Sequence, residues 1–212
     1  MWITRRGSDR LPYARPVHWD RLFEDLEGQL AAEWEAERAA LDAESERLRI
    51  AKLTLRTRLR LLHLNDAPLT LRLIDGERHS GRLRAVGADW VAAQTIDAPT
   101  ALVVPIHALT GIDTHHGAIL DALADDAPIA DGVRERMTLG FLLRDFARRR
   151  LPLRVALIDG EILHGTIDRA GADHFDIAVH DASDARHAGA VRAFRLVPLA
   201  AVRWVRTATP GI

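Results

Sequence analysis

"PLTLRLIDGERHSGRLRAVGAD", Pro68 to Asp89, returns 84 residues later as "PLRVALIDGEILHGTIDRAGAD", Pro152 to Asp173, with no gap and 11 of 22 positions identical. Self-similarity over that length marks a duplicated structural unit. Farther along, "VPIHAL" (Val104 to Leu109) matches "VPLAAV" (Val197 to Val202) at an offset of 93, so the second copy carries nine extra residues in between. The segment "HDASDARHAGA" (His180 to Ala190) lies there and reads as a longer loop. Inside each copy the period is two. Leu69, Leu71 and Leu73 alternate with polar residues, Asp75-Gly76 supplies a tight hairpin turn, and a second alternating run ends at Gly87-Ala88-Asp89. Each copy is therefore expected to fold as a small bent antiparallel sheet. Gly81 and Gly165 mark matching points of bending or bulging, where a side chain would obstruct the curvature. The expected core is Leu71, Leu73, Leu83, Val104 and Leu109, with Val155, Leu157, Ile167, Val197 and Val202 as counterparts.

Ahead of the second sheet, "MTLGFLLRDFARRR" places Leu139, Leu142, Leu143 and Phe146 at helical spacing, with arginines at its C-terminal end. The segment 84 residues earlier, "LTLRTRLRLLHLND", alternates like a strand when taken alone. The repeat makes it a helix. Before it, Trp34, Leu41, Leu48, Leu55 and Leu62 recur every seven residues in a charged stretch from Asp20 onward, which predicts a long helix with a break near Ile50. The remaining heptad positions, Arg38, Ser45 and Lys52, are poor for a coiled coil. The helix is therefore expected to pack along the protein's own sheets and to bury Trp34, Leu41, Leu48 and Leu55.

The 212 residues carry a formal net charge of −1 and are 48% hydrophobic, enough for a packed core but without a global field that would gather polyanions. The chain has no cysteine, which excludes disulfides, thiolate nucleophiles and cysteine-based zinc sites. No apolar run approaches the ~20 residues of a membrane span, and "MWITRRGSDRLPYARP" has arginines without an apolar signal core. A cytoplasmic protein without membrane association is expected. Charge is segregated: Asp20 to Ile50 carries ten acids against four bases, Ala51 to Leu64 four bases and no acid, and Val133 to Arg154 seven bases against two acids.

A helix followed by a five-stranded bent sheet resembles the Sm-like (LSm/Hfq) fold. The motif residues are an Asp-Gly hairpin with a glycine five residues on, as in "DGERHSGRLRAVGAD" and "DGEILHGTIDRAGAD". The "VPIHAL" and "VPLAAV" strands stand in the place of the family's second motif. The resemblance covers roughly residues 50 to 112 and 135 to 206, and the two-copy arrangement is similar to a group of two-repeat actinobacterial proteins. It implies an α+β, mostly β chain of two small barrel-like sheets, each preceded by a helix, plus a long N-terminal helix. It also implies RNA as the ligand. The family's base-holding asparagine, ten residues after the motif glycine, is replaced by Val91 and Phe175, and its Arg-Gly pair by Pro105-Ile106 and Pro198-Leu199. The uridine pocket is thus not inherited, although Phe175 offers a ring for base stacking.

No catalytic apparatus is legible. Asp75 and Asp159 precede turn glycines, where aspartate accepts backbone hydrogen bonds, and Asp89 and Asp173 read as capping residues. The histidine clusters "DTHH" (Asp113 to His116) and "HFDIAVH" (His174 to His180) lack a known ligand spacing. None of the four serines sits in a nucleophile elbow, and no glycine-rich phosphate loop occurs. No enzyme activity, metal or cofactor is expected.

The expected organisation is a basic arm (1–19), an acidic amphipathic helix (20–50), a first Sm-like repeat (51–116), a linker (117–132) and a second repeat (133–207). The leading expectation is a non-enzymatic protein that binds nucleic acid, RNA before DNA, with weak sequence preference. Its contacts would come from the basic helices, through Arg56, Arg58, Arg60, Arg148, Arg149, Arg150 and Arg154, helped by Arg5, Arg6, Arg10 and Arg15 of the arm. The bland alternative for those arginines is complementation of helix C-termini and solvation. The rival function is a protein–protein scaffold that recruits a partner through helix 20–50. Unpaired sheet edges point in either case to pairing of repeat 1 with repeat 2, any remaining edges being closed by homo-oligomerisation or covered by the long N-terminal helix.

Overall fold

The computed structural model describes residues 19–98, 100–124, 132–181 and 191–207, the side chains of 19–22, 134 and 135 excepted. The arginines of the N-terminal arm and most of the loop after His180 lie outside these. The chain divides after Lys52 into two compact units.

The first unit is α1 (Trp19–Ala51), 33 residues rich in Ala, Glu, Leu and Arg. Those are strong helix formers, and Gly28 is the single weak position. Pairs such as Glu46–Arg49 at 2.7 Å and Glu44–Arg47 at 3.7 Å add the usual small i,i+3 support. The expected burial of its heptad row is overturned. Trp34, Leu41 and Leu48 are 63%, 66% and 54% exposed. Leu55, counted with the same row, belongs to the next helix and is also exposed. The physical reason lies in the positions between: with Arg38, Ser45 and Lys52 interrupting it, the apolar row is one residue wide, too narrow a stripe to form a core face.

The second unit runs, in chain order, through α2 (Leu55–Leu64), β1 (Pro68–Leu73), β2 (Arg78–Val86), β3 (Trp90–Thr95), β4 (Ala101–Pro105), β5 (Leu109–Thr114) and α3 (His116–Asp121). It continues with α4 (Val133–Arg136), α5 (Leu139–Arg149), β6 (Pro152–Leu157), β7 (Ile162–Ala170), β8 (His174–Val179), β9 (Ala193–Pro198) and β10 (Val202–Thr207). The duplication is visible at every step. Thr54 and Thr138 cap α2 and α5, their hydroxyls accepting from Thr57 N–H and Phe141 N–H. Gly76 and Gly160 close the hairpins at φ of 88° and 92°, a region that favours glycine. Asp75 and Asp159 accept the N–H of Glu77 and Glu161 at 3.0 Å, so their turn role is met in both copies.

The two sheets expected from the sequence are one. All ten strands form a single open antiparallel sheet in the order β5-β1-β2-β3-β4-β10-β6-β7-β8-β9. Each copy keeps its fifth strand beside its first, and the copies merge where β4 pairs with β10. Helix and strand occupy similar lengths of chain, because α1 alone outweighs several strands, so "mostly β" is also corrected. The merger follows from edge chemistry: β4 and β10 would each expose a row of unpaired N–H and C=O groups if the copies closed separately.

Two apolar clusters lie against this sheet. One gathers Leu59, Leu71, Leu73, Leu83, Val91 and Val104 of the first copy; the other gathers Leu143, Phe146, Val155, Ile167, Phe175 and Val197 of the second. The expected core residues are all buried except Leu109, which is half-buried against the first cluster. Each cluster borrows from the other copy. Ala156 and Trp204 enter the first, and Trp90 and Val103 the second.

Gly81 and Gly165 are required for a close approach between strands. A Cβ built there would sit 2.0 Å from the Gln94 carbonyl oxygen and 2.2 Å from that of Ala178. Two residues on, the ladder shifts register between Leu83 and Ala85 and, identically, between Ile167 and Arg169. Gly165→Ala should therefore destabilise the second unit by about 1–3 kcal/mol, the usual range for overpacking. Urea titration of the variant measures it, and an unchanged midpoint would show that the strands separate without cost. A paired comparison tests α1. Leu143→Ala, fully buried in α5, should cost ~2–5 kcal/mol, whereas Leu48→Ala should leave thermal unfolding unaltered.

Candidate nucleic-acid interface

The arginines singled out by the sequence fall into three situations. In α2, Arg56 Nε donates to the Gly87 carbonyl at 3.0 Å and Arg58 Nη2 to that of Ile119 at 3.0 Å; both tie the helix to its neighbours. Arg60 is half-buried on the same helix. At the end of α5, Arg148 and Arg149 both pair with Asp145, and Arg150, the left-handed C-cap at φ 53°, pairs with Asp168 at 2.8 Å. These three remain largely exposed, where ion pairs contribute little to stability. Arg154 alone lies on a strand, exposed in β6.

Arg154 introduces residues that the helical reading missed. Directly opposite it on β10 is Arg206, and on its other side, on β7, is His164. His180 follows next to His164, its N–H donating to the His164 carbonyl at 3.0 Å. Cross-strand partners share a face, so Arg206, Arg154 and His164 form a row across β10, β6 and β7 that His180, the residue after β8, continues, on the face of β6 and β7 that turns away from the second core. Behind it lies Trp204. The guanidinium carbons of Arg154 and Arg206 sit 5.8 Å and 5.9 Å from its ring centroid.

The electrostatics of this row are unbalanced. Like charges directly opposite one another across strands are destabilising, and among the described residues neither Arg154 nor Arg206 forms an ion pair. Arg206 instead donates to the Thr95 hydroxyl at 3.2 Å. Burial first, and then Arg154, hold the Arg206 guanidinium below its usual range, against smaller opposing pulls from Asp97 and Glu77. His164 is held below the ordinary imidazole range by burial and then by Arg154, against a smaller opposing pull from Asp181 and a further push from His180. Its Nδ1 is buried without a described hydrogen-bond partner. His180 is satisfied: Nδ1 faces the Asp181 carbonyl at 3.0 Å and so carries the proton, which leaves Nε2 to accept from Thr166 Oγ1 at 3.0 Å. Trp204 compensates the arginine pair in part, since cation–π contacts contribute about 0.5–2 kcal/mol.

A signal for this row was present in the repeat. Position by position, Thr70, Ser80, Ile96 and Asp113 of the first copy become Arg154, His164, His180 and Arg206 of the second. In the first copy the face is a groove of about 650 Å³, lined also by Arg82 and Arg84, where Thr70 and Ser80 hydrogen-bond at 2.8 Å and Arg72 pairs with Asp113 at 2.6 Å. The second copy has lost both arrangements.

The other sequence candidates are accounted for by packing. Val91 and Phe175 are fully buried, so Phe175 offers no ring for stacking. His115 caps α3 by accepting from Ala118 N–H at 3.1 Å. Among the described residues no group of three or more His, Asp or Glu side chains is placed to hold a metal, and no helix is long and apolar enough to cross a membrane. Comparison of the chain with protein-family models, with curated proteins and with solved structures gives no match.

The position of His164 has a consequence for acid stability. A lowered folded-state pKa means that the unfolded chain takes up a proton first as pH falls. The neutral imidazole's contribution is therefore complete above about pH 6.5, its ordinary value, and is lost as pH falls through the folded value. His164→Gln should flatten the decline of unfolding free energy between about pH 6.5 and the lower folded value. Chemical denaturation at a series of pH values gives the slope, and identical slopes for the two proteins would show that another group carries it.

Proposed function

We propose that the chain is a non-enzymatic, Sm-like nucleic-acid-binding protein that holds the phosphate backbone, RNA before DNA, with weak sequence preference. The observation that carries this reading is the Arg154–Arg206 pair, two guanidinium groups facing each other without a carboxylate partner among the described residues. A phosphate bridging them would relieve their repulsion and take charge-assisted hydrogen bonds from both. The adjoining His164, with its orphaned Nδ1, supplies a third contact that becomes cationic on protonation. Arg148, Arg149 and Arg150 end α5, which lies on the side of the second core, and so offer a separate exposed basic group paired with Asp145 and Asp168, while Arg56 and Arg58 serve the fold. The five-stranded order β5-β1-β2-β3-β4, repeated as β10-β6-β7-β8-β9 behind a helix, supports the Sm-like reading. Burial of Val91 and Phe175 at the family's base-reading position supports weak sequence preference.

A second reading is favoured by a different observation, the exposed apolar row of α1. Trp34, Leu41 and Leu48 on an acidic helix suit recruitment of a protein partner.

Fluorescence anisotropy with single-stranded RNA of mixed sequence tests the first. Affinity should fall with salt at a slope of about −0.7 per phosphate contacted. Arg154→Gln with Arg206→Gln should lower affinity for every sequence and reduce that slope, while Arg56→Gln should change stability more than binding. Unaltered protein that binds neither RNA nor DNA at low salt would leave the partner-recruiting reading in its place.

A further inference from the structure

On the face of the sheet that carries α5, the second core continues across the seam and then stops short. Ala85, Ala92, Val103, Val205 and Val155 are successive cross-strand partners on β2, β3, β4, β10 and β6. Val155, Val205 and Val103 are buried in that core, whereas Ala85 and Ala92 are half-buried at its margin. Ala101 of β4 is equally small and half-buried. The three alanines leave a cavity of about 310 Å³ beside α5, lined on the helix side by Leu142 and Phe146. Trp90 lines it too, but its Nε1 already donates to the Met137 carbonyl at 2.9 Å, so the ring adds apolar surface alone.

The repeat shows that this space is particular to the first copy. The equivalents of Ala85, Ala92 and Ala101 are Arg169, Asp176 and Phe194. The rim is inverted in charge as well: Arg84 and Asp66 become Asp168 and Arg150. The Asp168–Arg150 pair closes at 2.8 Å, but Arg84 stands 3.5 Å from Asp66, a carboxylate that also receives Arg82 at 2.9 Å. One carboxylate thus serves two exposed guanidinium groups, and one positive charge is left over at the rim. Arg84 is the extra residue of the bulge between Leu83 and Ala85, a position that re-aims a side chain out of strict alternation, and it reaches the cavity. It carries the only charge among the described residues that line this space.

We propose that this cavity binds a straight-chain carboxylate, its apolar tail along the alanines and α5 and its head group on Arg84. The size follows from volume: an apolar cavity of about 150 Å³ holds benzene, so about twice that volume holds roughly ten to twelve carbons. The lining runs from β2 through β3 and β4 to β10, three inter-strand spacings or roughly 14 Å, which suits an extended chain over a compact ring. Removal of the tail from water drives binding. The guanidinium of Arg84 takes the carboxylate through parallel hydrogen bonds. Leaving Asp66 costs it little, because an exposed pair contributes little and Asp66 keeps Arg82. The site is separate from the Arg154–Arg206 row, since alternation puts those arginines on the opposite face from Val155 and Val205. The bound chain touches β4 of one copy and β10 and α5 of the other, and so stabilises the seam.

Calorimetric titration with decanoate, kept below its micellar range, tests this. The unaltered protein should bind it and melt at a higher temperature in its presence. Ala92→Leu fills the cavity and should weaken binding at least about tenfold, while the ligand-free melting curve stays or rises. Arg84→Gln, at an exposed side chain, should weaken decanoate about tenfold and leave the neutral analogue decanol unchanged. Absence of binding at millimolar decanoate overturns the proposal. So does an Ala92→Leu protein that binds like the unaltered one, as capture by the exposed apolar row of α1 would give, or an Arg84→Gln protein that keeps full affinity for decanoate. Should Ala92→Leu lose its melting transition, methyl NMR on the unaltered protein decides. The chain has two methionines, Met1 and Met137, and only Met137 lines the cavity. Decanoate should shift the Met137 methyl signal, and a signal that does not move at saturating ligand overturns the proposal equally.

Discussion

An antiparallel strand at a sheet edge leaves alternate N–H and C=O groups without partners, and the pairing of β4 with β10 is this protein's answer for two of its four module edges. Much of the second unit depends on that seam. Because the strands are continuous there, the apolar side chains beside it cannot be sorted by copy: Trp204 completes the first core and Val103 the second. The same constraint explains why helix α5 is capped by Asp89 from the first copy. Neither module as built would be complete if the other were removed.

Duplication followed by divergence is legible in "LIDGE" itself. Both copies use the aspartate and glycine to turn the chain, with Asp75 and Asp159 accepting from the residue two ahead and Gly76 and Gly160 at positive φ. The glutamates then part company. Glu77 receives Arg203 and Trp204 across the seam, whereas Glu161 pairs with Arg195 of its own copy's edge strand. A buried arginine between two carboxylates fixes register at the seam, since misplacing it by one residue would leave a desolvated charge. The outer face diverged too, from a groove in which Thr70 bonds Ser80 and Asp113 pairs with Arg72 to a row of arginine and histidine.

Helix α1 follows a different logic. Its residues have high helix propensity and form i,i+3 ion pairs, so its helical state depends little on burial. Its apolar row stays exposed over Trp34, Leu41 and Leu48.

By itself the sequence determined the duplication, the hairpin turns, the strand alternation, the two repeat-equivalent helices and nearly all of the core, from Leu71 to Val202. These are local properties: turn chemistry, period and propensity are written within a few residues of one another. It also singled out Arg154, but with the basic helices, whereas the residue lies on a strand. Only the tertiary structure decided that the two sheets are one, since alternation within a strand carries no record of which strand lies beside it. For the same reason Arg206 and Arg203 were not legible as neighbours of Arg154 and Glu77; they meet across the seam or a strand pairing that joins residues far apart in the chain. The exposure of α1 and the structural duty of Arg56 and Arg58 were settled there too, because burial and hydrogen-bond partnership depend on what the fold brings alongside, and the sequence states only what each residue is able to do.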